Sequence, residues 1–305
     1  MSTNYSSTEL SDRAQGCILA GAIGDAMGGP FEGRSGPLVF RDHTRWSISD
    51  DTQLTLATCE SITETGDVRP DHIAARFLIW YRDRRVTGMG SSTLKSLRDL
   101  DAGAHWALAG AKGERSAGNG AAMRIAPLAF LLDPAISQHR QTIRDVSRIT
   151  HHNDEAYIGA LALMAAIRAV TFAVANVADS LLMHVWGFLP DSRVRDKICE
   201  LSKLPKTTSI SEVSREFGST GYVVESVPLA IFAAQQMNRL TLLEILRELI
   251  QSGGDTDTIA SMSGQIIGAS IGRRQIPRDL IELLPDQDNI ERIVDAFALA
   301  VRTGI

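Results

Sequence analysis

Apolar residues recur at spacings of three and four along most of the chain, so the pattern predicts helices and almost no strands. Residues 1–9 are polar and predict a tail, after which a helix runs over 10–27. Gly28, Gly29 and Pro30 end it, and residues 31–46, carrying Glu32, Gly33, Gly36 and Pro37, predict a loop. Helices follow over 50–63, 70–82, 92–102, from Ala121 onward, 151–175, 223–236, 240–252, from Thr258 onward and 289–302. Turns are expected around Pro190, and the polar stretch 203–214 is expected to be an excursion without regular structure. No internal repeat or linker divides the chain, which reads as one all-α domain over 10–305.

Two stripes of small residues change this picture. Gly16, Ala20, Gly24 and Gly28 repeat every four residues, as do Ala260, Gly264, Gly268 and Gly272. Glycine inside a helix costs about 1 kcal/mol relative to alanine, so such stripes point to close helix packing. If the stripes face one another, Asp25 and the loop after it approach the start of the second striped helix.

That start is acidic. In Ser252-Gly253-Gly254-Asp255-Thr256-Asp257-Thr258, two carboxylates and a hydroxyl open an apolar helix. Such oxygen donors suit Mg²⁺, Mn²⁺ or Ca²⁺, and the His and Cys that zinc usually recruits are missing from the run. Taken alone, an aspartate there is a helix cap. Upstream, Ser49-Asp50-Asp51-Thr52-Gln53 repeats the arrangement, and Asp50 with Gln53 fits a capping box. A cap needs one acid, and adjacent carboxylates are costly to desolvate without a cation or donors. Asp50, Asp51, Asp255 and Asp257 together would carry about −4, which a pair of divalent ions ~3.5–4 Å apart would offset. The acids alone fit phosphatases, nucleases and glycosidic-bond hydrolases alike.

Ser116-Ala117-Gly118-Asn119-Gly120 precedes a predicted helix and offers backbone N–H groups to an anion, although it is neither a Walker A loop nor a dinucleotide fingerprint. His151 stands at another predicted helix start, where a polar cap is the commoner role. With 305 residues, 44% hydrophobic and 22% charged, the composition is that of an ordinary globular protein. A net charge of −5 argues against nonspecific nucleic-acid binding. Cys17, Cys59 and Cys199 are widely spaced and predict reduced thiols in a cytoplasm. Neither a secretory signal nor a membrane span is predicted, since Gly21, Gly24 and Asp25 interrupt the first apolar run.

Five segments together resemble the ADP-ribosylglycohydrolase family, which includes dinitrogenase-reductase-activating glycohydrolases and hydrolases of ADP-ribosylarginine and ADP-ribosylserine. They are GCILAGAIGDAMGGPFE at 16–32, SDDTQLTL at 49–56, SAGNGAAMRIAPLA at 116–129, THHNDEAYIGA at 150–160 and GGDTDTIASMSGQIIGA at 253–269. The resemblance implies a single compact many-helix domain with a central dinuclear Mg²⁺ or Mn²⁺ site. By it, Ser49, Asp50, Asp51, Asp255, Asp257 and Thr258 match the metal ligands, and Glu32 matches a glutamate flanking them. Ser116, Ala117, Gly118, Asn119 and Gly120 match the segment that holds a diphosphate, with His151 beside it. Some relatives carry an acid in place of Ser116 and an aromatic in place of Ala117, which leaves the scissile linkage open.

The implied reaction is hydrolytic removal of ADP-ribose from a modified side chain, arginine-linked in the first instance. Asp257 or Asp51 is expected to accept the proton of water, and Glu32 to gate the ribose or assist the leaving group. The expected partner is an ADP-ribosylated protein, with a cognate ADP-ribosyltransferase or toxin as a further one. Hydrolysis of serine-linked or small-molecule conjugates, or a non-catalytic role in binding ADP-ribose or a toxin, are the alternatives.

Overall fold

A capping box starts the first helix ahead of the predicted Leu10. In this computed structural model, which describes residues 6–39, 45–172 and 177–304, Ser6 Oγ accepts from Glu9 N at 3.3 Å and Ser6 N donates to the Glu9 carboxylate at 2.8 Å. Those two bonds satisfy donors that the polar sequence alone would leave to water. Helix α1 therefore covers Ser7–Gly28, so residues 7–9 are helix rather than tail, while 1–5 lie outside the described residues.

The chain then runs almost entirely as helices. These are α2 (Asp50–Thr65), α3 (Pro70–Arg82), α4 (Ser91–Asp101), α5 (Trp106–Ala109), α6 (Ser137–Arg148), α7 (Asp154–Phe172) and α8 (Leu181–Trp186). Then come α9 (Arg193–Ser202), α10 (Ile210–Phe217), α11 (Val223–Gln235), α12 (Leu242–Ser252), α13 (Thr256–Ile271), α14 (Arg278–Glu282) and α15 (Gln287–Thr303). Two-residue strands make two small pairings. β1 (Arg34–Ser35) lies antiparallel to β4 (Gly253–Gly254), and β2 (Ala111–Lys112) lies parallel to β3 (His151–His152). Pairs this short carry no alternating pattern, which is why the sequence does not announce them.

At the centre, α1 packs along α13 with the two small-residue stripes face to face, as their spacing predicts. A methyl group on Gly28 would come within 2.5 Å of Asp257 Cα, and one on Gly16, Gly24, Gly264 or Gly268 would strike the backbone of the facing helix. The remaining faces of α13 are covered by α7, α11 and α12, and α15 closes the far side of α1. Among the described residues α7 is the one helix long and apolar enough to cross a membrane, yet 78% of its apolar window is buried in the fold, the setting of a core helix.

Three predictions are corrected. No α-helix starts at Ala121; 3₁₀ turns occupy Asn119–Ala121 and Ala126–Phe130 instead. The Arg124 guanidinium donates to Gly120 O, and Ala126 opens the second 3₁₀ turn with Pro127 in its first turn, where the missing N–H costs no hydrogen bond. The stretch 203–214 is not all irregular: α10 starts there behind a Ser209–Glu212 capping box and buries Ile210 and Val213. His151 and His152 pair in β3 rather than opening the long helix, which starts at Asp154, and 173–176 lie outside the described residues.

Candidate active site and metal centre

The acids converge because two helix starts are brought against the end of a third helix. Asp50 and Asp51 occupy the first turn of α2, and Asp255 and Asp257 the N-cap and first turn of α13, positions where the helix dipole favours negative charge. The N-cap of α2 is Ser49, whose Oγ accepts from Asp51 N at 3.3 Å, so the predicted Asp50–Gln53 capping box does not form. Gln53 instead reaches outward, donating to Thr87 Oγ1 at 3.0 Å and accepting from Thr87 N at 2.7 Å.

Asp25 of α1, fully buried, holds α2 in place. Its carboxylate accepts from Ser49 N at 3.0 Å, Ser49 Oγ at 2.9 Å, Thr52 N at 3.1 Å and Thr52 Oγ1 at 2.5 Å. Asp25 is absent from the expected ligand set, although an acid inside an otherwise apolar striped helix was the signal available. Glu32 is placed by the β1–β4 pairing and by Gly33 N donating to Gly254 O at 2.9 Å, which lays its loop beside Asp255. Gly253 and Gly254 have φ of 79° and 90°, a conformation that favours glycine.

Carboxylate oxygens of Asp25, Asp51 and Asp257 lie within 4.8 Å of one another, and so do those of Glu32, Asp255 and Asp257. Asp257 belongs to both sets. Asp51 Oδ2 is 3.0 Å from Ser49 Oγ and 3.1 Å from Thr258 Oγ1, while Asp51 Oδ1 is buried without a hydrogen-bond partner among the described residues. An all-oxygen donor set with an orphaned carboxylate oxygen fits a hard divalent cation. Burial, followed by the charges of Asp25 and the other acids, pushes Asp51 well above the carboxylate range. For the same first reason Asp50 rises to about 7 and Asp257 to about 9. Asp255 and Asp25 are also raised by burial, opposed by Asn119 in the first case and by Thr52 and Ser49 in the second. Exposed Glu32 is raised by partial burial and by Asp255 and Asp25.

Glu32, Asp50, Asp51, Asp255 and Asp257 line a cavity of about 640 Å³, with Asp25 buried behind them, and a set of donors faces the same space. It includes Gly118, Asn119, Gly120 and His151, together with Ser91, Ser92 and Thr93 at the start of α4, where Gly90 supplies no side-chain cap. Two of the expected phosphate-loop residues are turned away. Ser116 N and Oγ both donate to Gly113 O, Ala117 N donates to Glu114 O, and neither residue lines the cavity. Asn119 N donates to Gly221 O at 3.1 Å and its Nδ2 donates to Asp255 Oδ2 at 2.6 Å, so Asn119 orients a carboxylate. Gly118 sits in the non-hydrogen-bonded position opposite Tyr222, which directs its N–H away from that neighbour. His151 is buried, and burial and then the Arg124 charge lower its imidazole to about 3, so the ring is neutral.

A cavity that joins clustered carboxylates to neutral donors suits a ligand with vicinal hydroxyls near an anionic group. Comparison with known proteins agrees. The ADP-ribosylglycohydrolase family model matches residues 6–304. The ADP-ribosylhydrolase ARH3 of Danio rerio is 30% identical over 317 residues, covering 87% of this chain and 84% of its own. The ADP-ribosylarginine hydrolase Tri1 of Pseudomonas putida (strain GB-1) is 26% identical over 308 residues, covering 92% and 76%. A solved structure described as an ADP-ribosylglycohydrolase-related protein complex superposes with a TM-score of 0.75 at 26% identity, covering 96% of this chain and 99% of that one. The chain belongs to the ADP-ribosylglycohydrolase family.

Proposed function

We propose that this ADP-ribosylglycohydrolase removes ADP-ribose from arginine side chains of modified proteins, with two divalent cations, Mg²⁺ or Mn²⁺, in the acid cluster. The observation that carries the reading is the pair of three-carboxylate sets sharing Asp257, of which Glu32, Asp51, Asp255 and Asp257 line one cavity with His151 and the 118–120 loop and Asp25 lies behind them. Bound cations would supply Lewis-acid polarisation of a water and of ribose hydroxyls.

The protein's own groups divide the remaining work. Ser49, Asp50, Asp51, Asp255, Asp257 and Thr258 form the ligand set, with Asp25 holding Ser49 and Thr52 behind it. Gly118 and Gly120 N–H and His151 hold the diphosphate, and Asn119 keeps Asp255 aligned. Glu32, at the solvent-facing edge with a raised carboxyl pKa, moves the proton to the leaving group, and Asp257 or Asp51 accepts the proton of water.

Glu32, the exposed carboxylate on the cavity wall, complements a cationic guanidinium better than a neutral hydroxyl, which favours arginine over serine. Tri1, named for ADP-ribosylarginine, supports the same choice. The biological setting we assign is cytoplasmic reversal of mono-ADP-ribosylation, in regulation or in protection from a modifying toxin. Metal-loaded protein incubated separately with arginine- and serine-linked ADP-ribosyl peptides tests the linkage. Faster release of ADP-ribose from the arginine conjugate supports the reading; release from the serine conjugate alone overturns it.

A further inference from the structure

Arg124 is a guanidinium with no access to solvent, sealed beneath the 118–120 loop and used by none of the steps above. It donates to Gly120 O, lies 5.1 Å from the centre of the Phe77 ring and gives an Nη2 proton to Thr150 Oγ1 at 2.7 Å. Thr150, also fully buried, has its Oγ1 2.7 Å from His151 Nδ1. A single side chain thus touches one cavity wall directly, at Gly120, and the other through a hydroxyl, at His151.

The hydrogen positions follow from counting donors. A guanidinium has no acceptor, so Thr150 Oγ1 must accept from Arg124 and still owns one proton to give away. Among the described residues, the acceptor within reach of that hydroxyl is His151 Nδ1. Were Nδ1 to carry the imidazole proton, the Thr150 hydroxyl would be a buried donor with nowhere to go, a state disfavoured by on the order of tenfold or more. We propose that Arg124, acting through Thr150, fixes the tautomer of His151 so that Nε2 carries the proton and points a neutral N–H donor into the cavity. Arg124 and Thr150 are therefore positioning residues for the anion-binding wall. The loop geometry agrees, because a methyl on Gly118 or Gly120 would sit 3.3 Å from His151 Nε2, which places that atom against the loop that lines the cavity. Burial with an adjacent cation keeps the ring neutral, so the donor does not depend on protonation near neutral pH.

The assignment of diphosphate to this wall rests on the proposed function; the tautomer does not. The test is a long-range proton–nitrogen correlation spectrum of histidine-labelled protein at neutral pH without ligand, the His151 signal being identified by its loss in His151→Gln. The expected spectrum shows a single neutral tautomer protonated at Nε2. In Thr150→Val the ring should lose that single tautomer and free ADP-ribose should bind about tenfold more weakly, with turnover of the bound conjugate little changed, and Thr150→Ser should restore both. A wild-type ring protonated at Nδ1, or a Thr150→Val ring with an unaltered tautomer, overturns the proposal. If Thr150→Val does not fold, Thr150→Ala, which likewise lacks the hydroxyl, is read by the same criteria. A single Nε2-protonated tautomer that is lost with the hydroxyl, in a protein that binds no ADP-ribose, upholds the positioning role and counts against the ligand instead.

Discussion

Asn119 and Asp255, 136 residues apart in sequence, meet at 2.6 Å, with the amide donating to the carboxylate of the residue that precedes α13. A loop residue matched to phosphate binding thus acts on the acid cluster. Asn119→Ala removes the donor that opposes the effect of burial on Asp255. Loss of such a supporting group typically weakens metal affinity about 10- to 100-fold, so calorimetric titration with Mn²⁺ should show a fall of that order. Unchanged metal affinity with only a raised KM would return Asn119 to the phosphate wall.

Asp25→Asn is expected to disturb the same cluster from behind. The single amide oxygen can keep Thr52 N–H and Oγ1, but the NH2 then faces Ser49 N–H, which now donates to the other carboxylate oxygen. Unsatisfied buried donors cost about 1–3 kcal/mol each, so urea unfolding of the metal-free protein should show a loss of at least that size. Metal affinity should fall as well, because Ser49, Asp50 and Asp51 are positioned from Asp25. Near-wild-type stability and metal binding would mean that α2 is held by packing alone.

Much of this was readable in advance where one residue type carries one physical constraint. The Gly16–Gly28 and Ala260–Gly272 stripes predicted the α1–α13 contact because close backbone approach excludes side chains. The sequence shows Asp25 but not its role, since an acid on a helix interior looks the same whether it binds a cation, caps a neighbouring helix or faces water. The turns after Asn119 are not legible in the sequence because the contacts that hold the segment, Asn119 N on Gly221 O and the Arg124 guanidinium on Thr150 Oγ1, join residues far apart in the chain. Likewise, nothing in Ser116 or Ala117 announces that their N–H groups are consumed within their own turn.

Gly268→Ala tests the stripe. Its methyl would meet Gly16 O and the Ala20 side chain, and overpacking of this kind costs about 1–3 kcal/mol or more where backbone must move. Denaturant unfolding should report a loss in that range, and metal affinity should fall with it, because α1 carries Asp25 and α13 carries Asp257. A neutral substitution would contradict the packing.

The acid cluster fixes a pH dependence. Asp50 is raised to about 7 and Asp257 to about 9, whereas aspartate in the unfolded chain titrates near ~4. The unfolded state therefore releases these protons first, and each group's penalty accumulates from the unfolded pKa up to the folded one. Metal-free protein should lose stability as pH rises from ~4 through about 9. Cations bind the ionised form and reverse the loss, so the melting-temperature difference between metal-loaded and metal-free protein should widen over the same window. A difference that stays constant with pH would show that these carboxyls do not hold the metal.

Release of ADP-ribose from an arginine-linked peptide, measured for metal-loaded wild type, EDTA-stripped wild type and Asp257→Asn, addresses the central claim most directly. Asp257 is the carboxylate common to both cation-sized sets. The account predicts turnover by the loaded protein, none above background after stripping, recovery on adding back Mg²⁺ or Mn²⁺, and a loss of several orders of magnitude in Asp257→Asn that added metal does not repair. Full turnover by the stripped protein, or by Asp257→Asn, would contradict it.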